Sequence, residues 1–156
     1  MQAVGRLDED TTGLLLLTDD GPLIHRLTSP KWHVPKLYEV HLRHAVDTDQ
    51  VQRLCAGVVL HDDPLPARAL SCEITGSHQA QMALTEGRYH QVKRMWAAVG
   101  NRVDALHRSQ FGPLKLGADL PLSTWRWLLA DELAQLQNQP GGSTKVPPPR
   151  TTGLAP

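Results

Sequence analysis

The chain has little cysteine, no excess of either charge and no long apolar run, and each shortage removes a class of protein. Its two cysteines, Cys55 and Cys72, lack metal-type spacing and make no disulfide framework, so they read as buried apolar residues in a reducing compartment. The leucine run Leu14 to Leu17 is too short for a membrane span, and no signal peptide or transmembrane segment is visible. These absences predict a soluble, cytoplasmic globular protein. The 16 Lys+Arg balance the 16 Asp+Glu, so net charge argues neither for nor against an acidic partner. Any claim of RNA binding rests on how the charge is distributed. The length of 156 residues suits one domain with enough apolar content for a core.

Charge is unevenly spread. From Glu86 to Lys115 the bases are Arg88, Lys93, Arg94, Arg102, Arg108 and Lys115, against only Glu86 and Asp104, whereas residues 1–35 lean acidic. Within the acidic part, Val4-Gly5-Arg6-Leu7-Asp8-Glu9-Asp10-Thr11-Thr12-Gly13 runs straight into Leu14 to Leu17. A carboxylate in a polar, glycine-bounded loop that feeds an apolar run suits a catalytic group at the rim of a buried strand. The leucines fit a strand covered on both faces, which would give the loop a rigid base. Taken alone, Asp8 also fits ordinary turn chemistry, since short oxygen-bearing side chains bond nearby amides. Arg6, two residues away, is close enough to hold its carboxylate ionised.

Further along, Asp20-Gly21-Pro22 predicts a helix start, with Asp20 as the cap, and Ser29-Pro30 its end. Lys36 to Arg43 alternates as a half-buried strand, with Tyr38, Val40 and Leu42 on one face. Asp47-Thr48 caps a helix that Gly57 closes; Val58 to His61 is a short strand, and Asp62-Asp63-Pro64 a turn. Strands at about Ala69 to Thr75 and Gln79 to Thr85 form a hairpin through Gly76-Ser77. In Tyr89 to Val99 the residues Val92, Met95, Trp96 and Val99 share a helical face, which Gly100-Asn101 ends. Arg88, His90, Lys93 and Arg94 crowd the start of this helix, where cations oppose the macrodipole. An anion held there, either Asp8 or a phosphate, would account for them; a solvated basic face is the plain alternative. A strand from Arg102 to Phe111, a turn at Gly112-Pro113, a short strand from Leu114 and a helix from Ala130 to Leu136 complete the series. The Pro/Gly-rich stretch 137–156 reads as a disordered tail.

Gly5-Arg6-Leu7-Asp8 with Thr11-Thr12-Gly13-Leu14 resembles the catalytic motif of the pseudouridine synthases. Glu86-Gly87-Arg88-Tyr89-His90-Gln91-Val92-Lys93-Arg94-Met95 resembles their later motif, and Leu106-His107-Arg108 and Lys36-Leu37-Tyr38 fit as well. Residues 4–136 look most like the bacterial branch acting on ribosomal RNA, and more like its small-subunit (16S) synthase than its large-subunit relatives. The resemblance implies an α+β catalytic domain over 1–136, with a mixed, mainly antiparallel sheet, packed helices and a basic, aspartate-containing cleft. It implies that Asp8 acts at the ribose of a target uridine, as nucleophile or as base. Lys93 would be its basic partner, where many relatives have Arg, and Tyr38 would stack on the base and take the proton from carbon 5. Arg6, Thr12, Arg88, His90, Arg94 and Arg108 would hold RNA or support the loop. The implied partner is small-subunit ribosomal RNA, with no metal and no organic cofactor. Relatives in this branch also carry an RNA-binding domain and a first strand ahead of the catalytic motif, so a truncated chain with weaker RNA affinity is expected.

Three other readings compete. The chain could be a non-catalytic RNA-binding remnant of such an enzyme, or a synthase for a large-subunit uridine. Asp8, Asp10, Asp19 and Asp20 could hold magnesium, although Asp19-Asp20 is better explained as turn and cap. His41 and His44, three apart at a strand end, would face opposite ways and make a poor zinc pair.

Overall fold

The computed structural model describes residues 1–138. The expected tail therefore lies outside the described residues except at its start, where Gln137 is instead the last residue of a helix. The chain forms two units, one of Met1–Lys36 with the chain from Arg108 onward, the other of Leu37–His107.

The first unit opens with β1 (Gln2–Ala3), β2 (Thr11–Gly13) and β3 (Leu17–Thr18). β1 runs antiparallel to β3, pairing Gln2 with Thr18 and Ala3 with Leu17, and Val4 N–H donates to the Leu16 carbonyl at 2.8 Å. The leucine run is not covered on both faces. Leu14 and Leu16 are buried, whereas Leu15 and Leu17 are 39% and 57% exposed. Only one side meets the core of Val4, Leu23, Leu27, Val34, Phe111, Leu114 and Leu136, and an unbroken run of leucines does not encode how many faces find a partner. The helix α1 (Gly21–Thr28) starts as expected: the Asp20 carboxylate accepts from Leu23 N–H at 3.0 Å, and Pro22 occupies the first turn, where no N–H is needed. Its buried face is Leu23 and Leu27, and a 3-10 turn at Pro30–Trp32 follows.

The second unit begins in β4 (Lys36–Leu42), whose Val40 and Leu42 are buried while His41 is exposed. The helix α2 (Thr48–Ala56) carries a reciprocal cap: Asp47 accepts from Gln50 N–H at 2.8 Å, and Gln50 Oε1 accepts from Asp47 N–H at 3.4 Å. β5 (Val58–Leu60) pairs antiparallel with β6 (Asp63–Ala67). The sequence shows only a turn at Asp62-Asp63-Pro64; Pro64 and Pro66 hide the strand, and proline is tolerated because β6 pairs on one side alone in a two-stranded sheet. β7 (Ser71–Gly76) and β8 (Gln79–Leu84) form the expected hairpin. The helix α3 (Gln91–Ala98) buries Val92, Met95 and Trp96 as its spacing predicts, but begins after Tyr89 and His90. β9 (Val103–Phe111) follows, and within this unit the strands run β9-β4-β8-β7 over a core that includes Leu54, Met82 and Trp96.

Back in the first unit, the end of β9 turns at Gly112-Pro113 into β10 (Leu114–Lys115), pairing Phe111 with Leu114. The helix α4 (Ala130–Gln137) is started by Glu132, whose carboxylate accepts from Leu129 N–H at 2.8 Å and from Arg126 at 2.9 and 3.1 Å. That ion pair is buried, and Leu136 packs into the core beside Phe111 and Leu114.

Candidate active site

Asp8 is half-buried on the loop before β2, and its carbonyl accepts from Thr11 N–H at 2.9 Å, closing a turn that hands the chain to the strand. Two features fasten this loop to β9. Gly13 has φ +117°, and a Cβ there would lie 2.1 Å from the Arg108 carbonyl oxygen, so the two backbones meet at a distance only glycine permits. Leu14 N–H donates to the Arg108 carbonyl at 2.8 Å, while Arg108 Nε donates to the Leu14 carbonyl at 2.9 Å. Arg108 is 3% exposed, with its guanidinium 5.3 Å from the Phe111 ring centroid. In this unit, then, the arginine expected on RNA holds the strand behind Asp8. Arg6, on the loop, and Thr12, in β2, are both exposed.

In the second unit, Tyr38 is half-buried on β4 against the core, and Lys93 is half-buried in the first turns of α3. The arginines around that helix start are engaged by protein groups. Arg88 Nη1 donates to Asp63 at 2.9 Å and to the Leu65 carbonyl at 2.7 Å, Nη2 to the Pro66 carbonyl at 3.1 Å, and Nε lies 3.2 Å from Glu86. Arg94 pairs with Asp62 and donates to the Tyr89 carbonyl at 2.8 Å. Gln91 closes the brace, accepting from Arg88 N–H and donating to Glu86, each at 2.9 Å. The carboxylates of Asp62, Asp63 and Glu86 are therefore anions that the crowded cations meet within this unit. Sequence reasoning passed over them because Asp62 and Asp63 look like turn residues. Only the pairing of β5 with β6 brings them to arginines 25 and 32 positions away.

At the head of α3 the chain adopts an unusual shape. His90 is left-handed, with φ 45° and ψ 41°, and no side chain caps the helix. The Tyr89 ring stacks on the His90 imidazole with centroids 4.0 Å apart and planes 16° from parallel. Cys72 is buried away from such chemistry; burial, then the neighbouring Cys55 and Glu73, pushes its thiol up to about 12. Among the described residues, no three His, Cys, Asp or Glu side chains gather as metal ligands, and no helix is long and apolar enough to cross a membrane.

Comparison with known proteins places these features in a family. Residues 1–98 match the model described as RNA pseudouridylate synthase. Over 136 residues the chain is 45% identical to the ribosomal small subunit pseudouridine synthase A of Escherichia coli (strain K12) and 43% identical to that of Yersinia pestis, covering 87% of this chain in each case. It spans 59% and 58% of those proteins' own lengths. A crystal structure described as a pseudouridylate synthase superposes with a TM-score of 0.83 at 43% identity, over 86% of this chain and 58% of that one. The α+β class expected from the sequence is thus the observed one.

Proposed function

Because this chain belongs to the RNA pseudouridylate synthase family, we propose that it converts a specific uridine of small-subunit ribosomal RNA to pseudouridine, with Asp8 as the catalytic group. Asp8 acts at the ribose of the target, either attacking the anomeric carbon or removing a proton on the way to a glycal. Either route breaks the glycosidic bond to nitrogen; uracil then turns and rejoins the sugar through carbon 5, whose proton leaves. Lys93 is the proposed cation that keeps the carboxylate ionised, and Tyr38 the proposed ring under the base and acceptor of that proton. A uridine within folded RNA must first be extruded, at a cost of a few kcal/mol.

The observation that carries this reading is the fastening of the Asp8 loop to β9 through Gly13, Leu14 and Arg108. A turn that served only to reverse the chain would not need a glycine against backbone and a buried arginine behind it. Acting on ribosomal RNA places the protein in the cytoplasm, and the chemistry needs neither metal nor organic cofactor. The test is to incubate the protein with small- and large-subunit ribosomal RNA transcripts and map pseudouridine in each. Product at one position of the small-subunit transcript is expected. Product in the large-subunit transcript alone would reassign the substrate, and RNA bound without product in either would leave a binding remnant.

A further inference from the structure

We propose that the stacked rings of Tyr89 and His90 form a platform on which one unpaired base of the substrate RNA stacks. The inference rests on RNA being the substrate, as argued above. Tyr89 is 71% exposed, an unusual fate for one of only two tyrosines in the chain. Its ring is nonetheless ordered against a neighbour: the imidazole covers one face at 4.0 Å, nearly parallel. With one face of the ring covered and the residue largely exposed, the flat apolar surface left over is the shape of a nucleobase face.

The surroundings hold the platform rigid. Arg94 donates to the Tyr89 carbonyl and pairs with Asp62, and Arg88, the residue before Tyr89, is tied to Asp63, Glu86 and the carbonyls of Leu65 and Pro66. The exposed tyrosine braced in this way is outside the core, whose first member on α3 is Val92. His90 adopts a left-handed conformation that costs a non-glycine residue free energy, and this is the turn that brings its ring beneath the phenol. Such fixed geometry lowers the ordering entropy that a stacking ligand would otherwise lose. Charge agrees with a nucleic acid: the first turn of α3 carries no acidic residue and includes Lys93, and the helix N-terminus presents its positive end. A second exposed pair, Trp125 and Trp127, meets edge to face at 5.5 Å and so offers no comparable flat stack.

The test uses the full chain and a short unstructured RNA oligonucleotide, with affinity read by fluorescence anisotropy. Tyr89→Ala is expected to weaken binding on the order of tenfold, and Tyr89→Phe, which keeps the ring, to bind within about twofold of the original. One oligonucleotide in a set made abasic at single positions should lose as much with the original protein and nothing further with Tyr89→Ala. Circular dichroism of Tyr89→Ala should match the original, because the ring is exposed. Equal binding by Tyr89→Ala, or equal losses in the Ala and Phe variants, would overturn the platform while leaving the RNA substrate standing. Failure of the unmodified protein to bind any RNA would overturn both.

Discussion

A side chain at position 13 would have to displace the backbone of Arg108, and the local φ of +117° is itself closed to other residues. Gly13→Ala is therefore expected to destabilise the protein by about 3 kcal/mol or more, measured by urea unfolding, because neither strand can move without breaking the Leu14–Arg108 bonds. A loss under about 1 kcal/mol would show that the loop behind Asp8 is not held as described. The cysteines offer a second test at this scale. Burial, with the neighbouring Cys55 and Glu73, moves the Cys72 thiol up to about 12, so near pH 8 its thiolate is far scarcer than in a free thiol. In the native protein iodoacetamide should label Cys72 at least about tenfold more slowly than the half-buried Cys55, and the difference should vanish in denaturant.

Among the elements, the one most dependent on a single interaction is the start of α4. Arg126 and Glu132 are 3% and 1% exposed, and Glu132 also accepts the Leu129 N–H. Glu132→Ala should cost about 3–5 kcal/mol, since it leaves a buried guanidinium without its carboxylate. Replacing both residues by apolar ones of similar volume should cost much less in the same unfolding measurement. Arg88→Ala should act more locally, speeding amide exchange across β5 and β6 by releasing Asp63, Leu65 and Pro66. These two elements also mark the limit of what the sequence discloses. Caps and turns are local, so Asp20, Pro22, Asp47, Gly57 and the Gly76-Ser77 hairpin were legible, as was the Val92, Met95, Trp96 face of α3. β6 was not, because its two prolines mask a strand that one-sided pairing tolerates. Nor was the role of Asp62 and Asp63, whose arginine partners are remote in sequence. At the candidate site, Asp8 stood out through its loop chemistry and motif, whereas the inward role of Arg108 needed the close approach at Gly13 to be seen.

Across the whole molecule the 16 bases and 16 acids balance, and much of the basic third is engaged internally. Of its six bases, Arg88 and Arg94 are ion-paired and Arg108 is buried, so these three reach a phosphate only by giving up their protein partners. Arg88→Gln or Arg94→Gln should accordingly leave the slope of log K against log salt for RNA binding within about 0.5 of the original. A slope shallower by about 1 in either variant would mean that the internal pairs open to meet RNA. Weak charge attraction throws more of the recognition onto shape, stacking and the chemistry at the sugar, and so onto Asp8. The decisive measurement is pseudouridine formation in a small-subunit ribosomal RNA transcript by the protein and by its Asp8→Asn variant, with RNA affinity recorded for both. Turnover by the original protein, loss of turnover beyond detection in Asp8→Asn and similar affinities in the two are the predicted results; turnover that survives in Asp8→Asn would contradict the account.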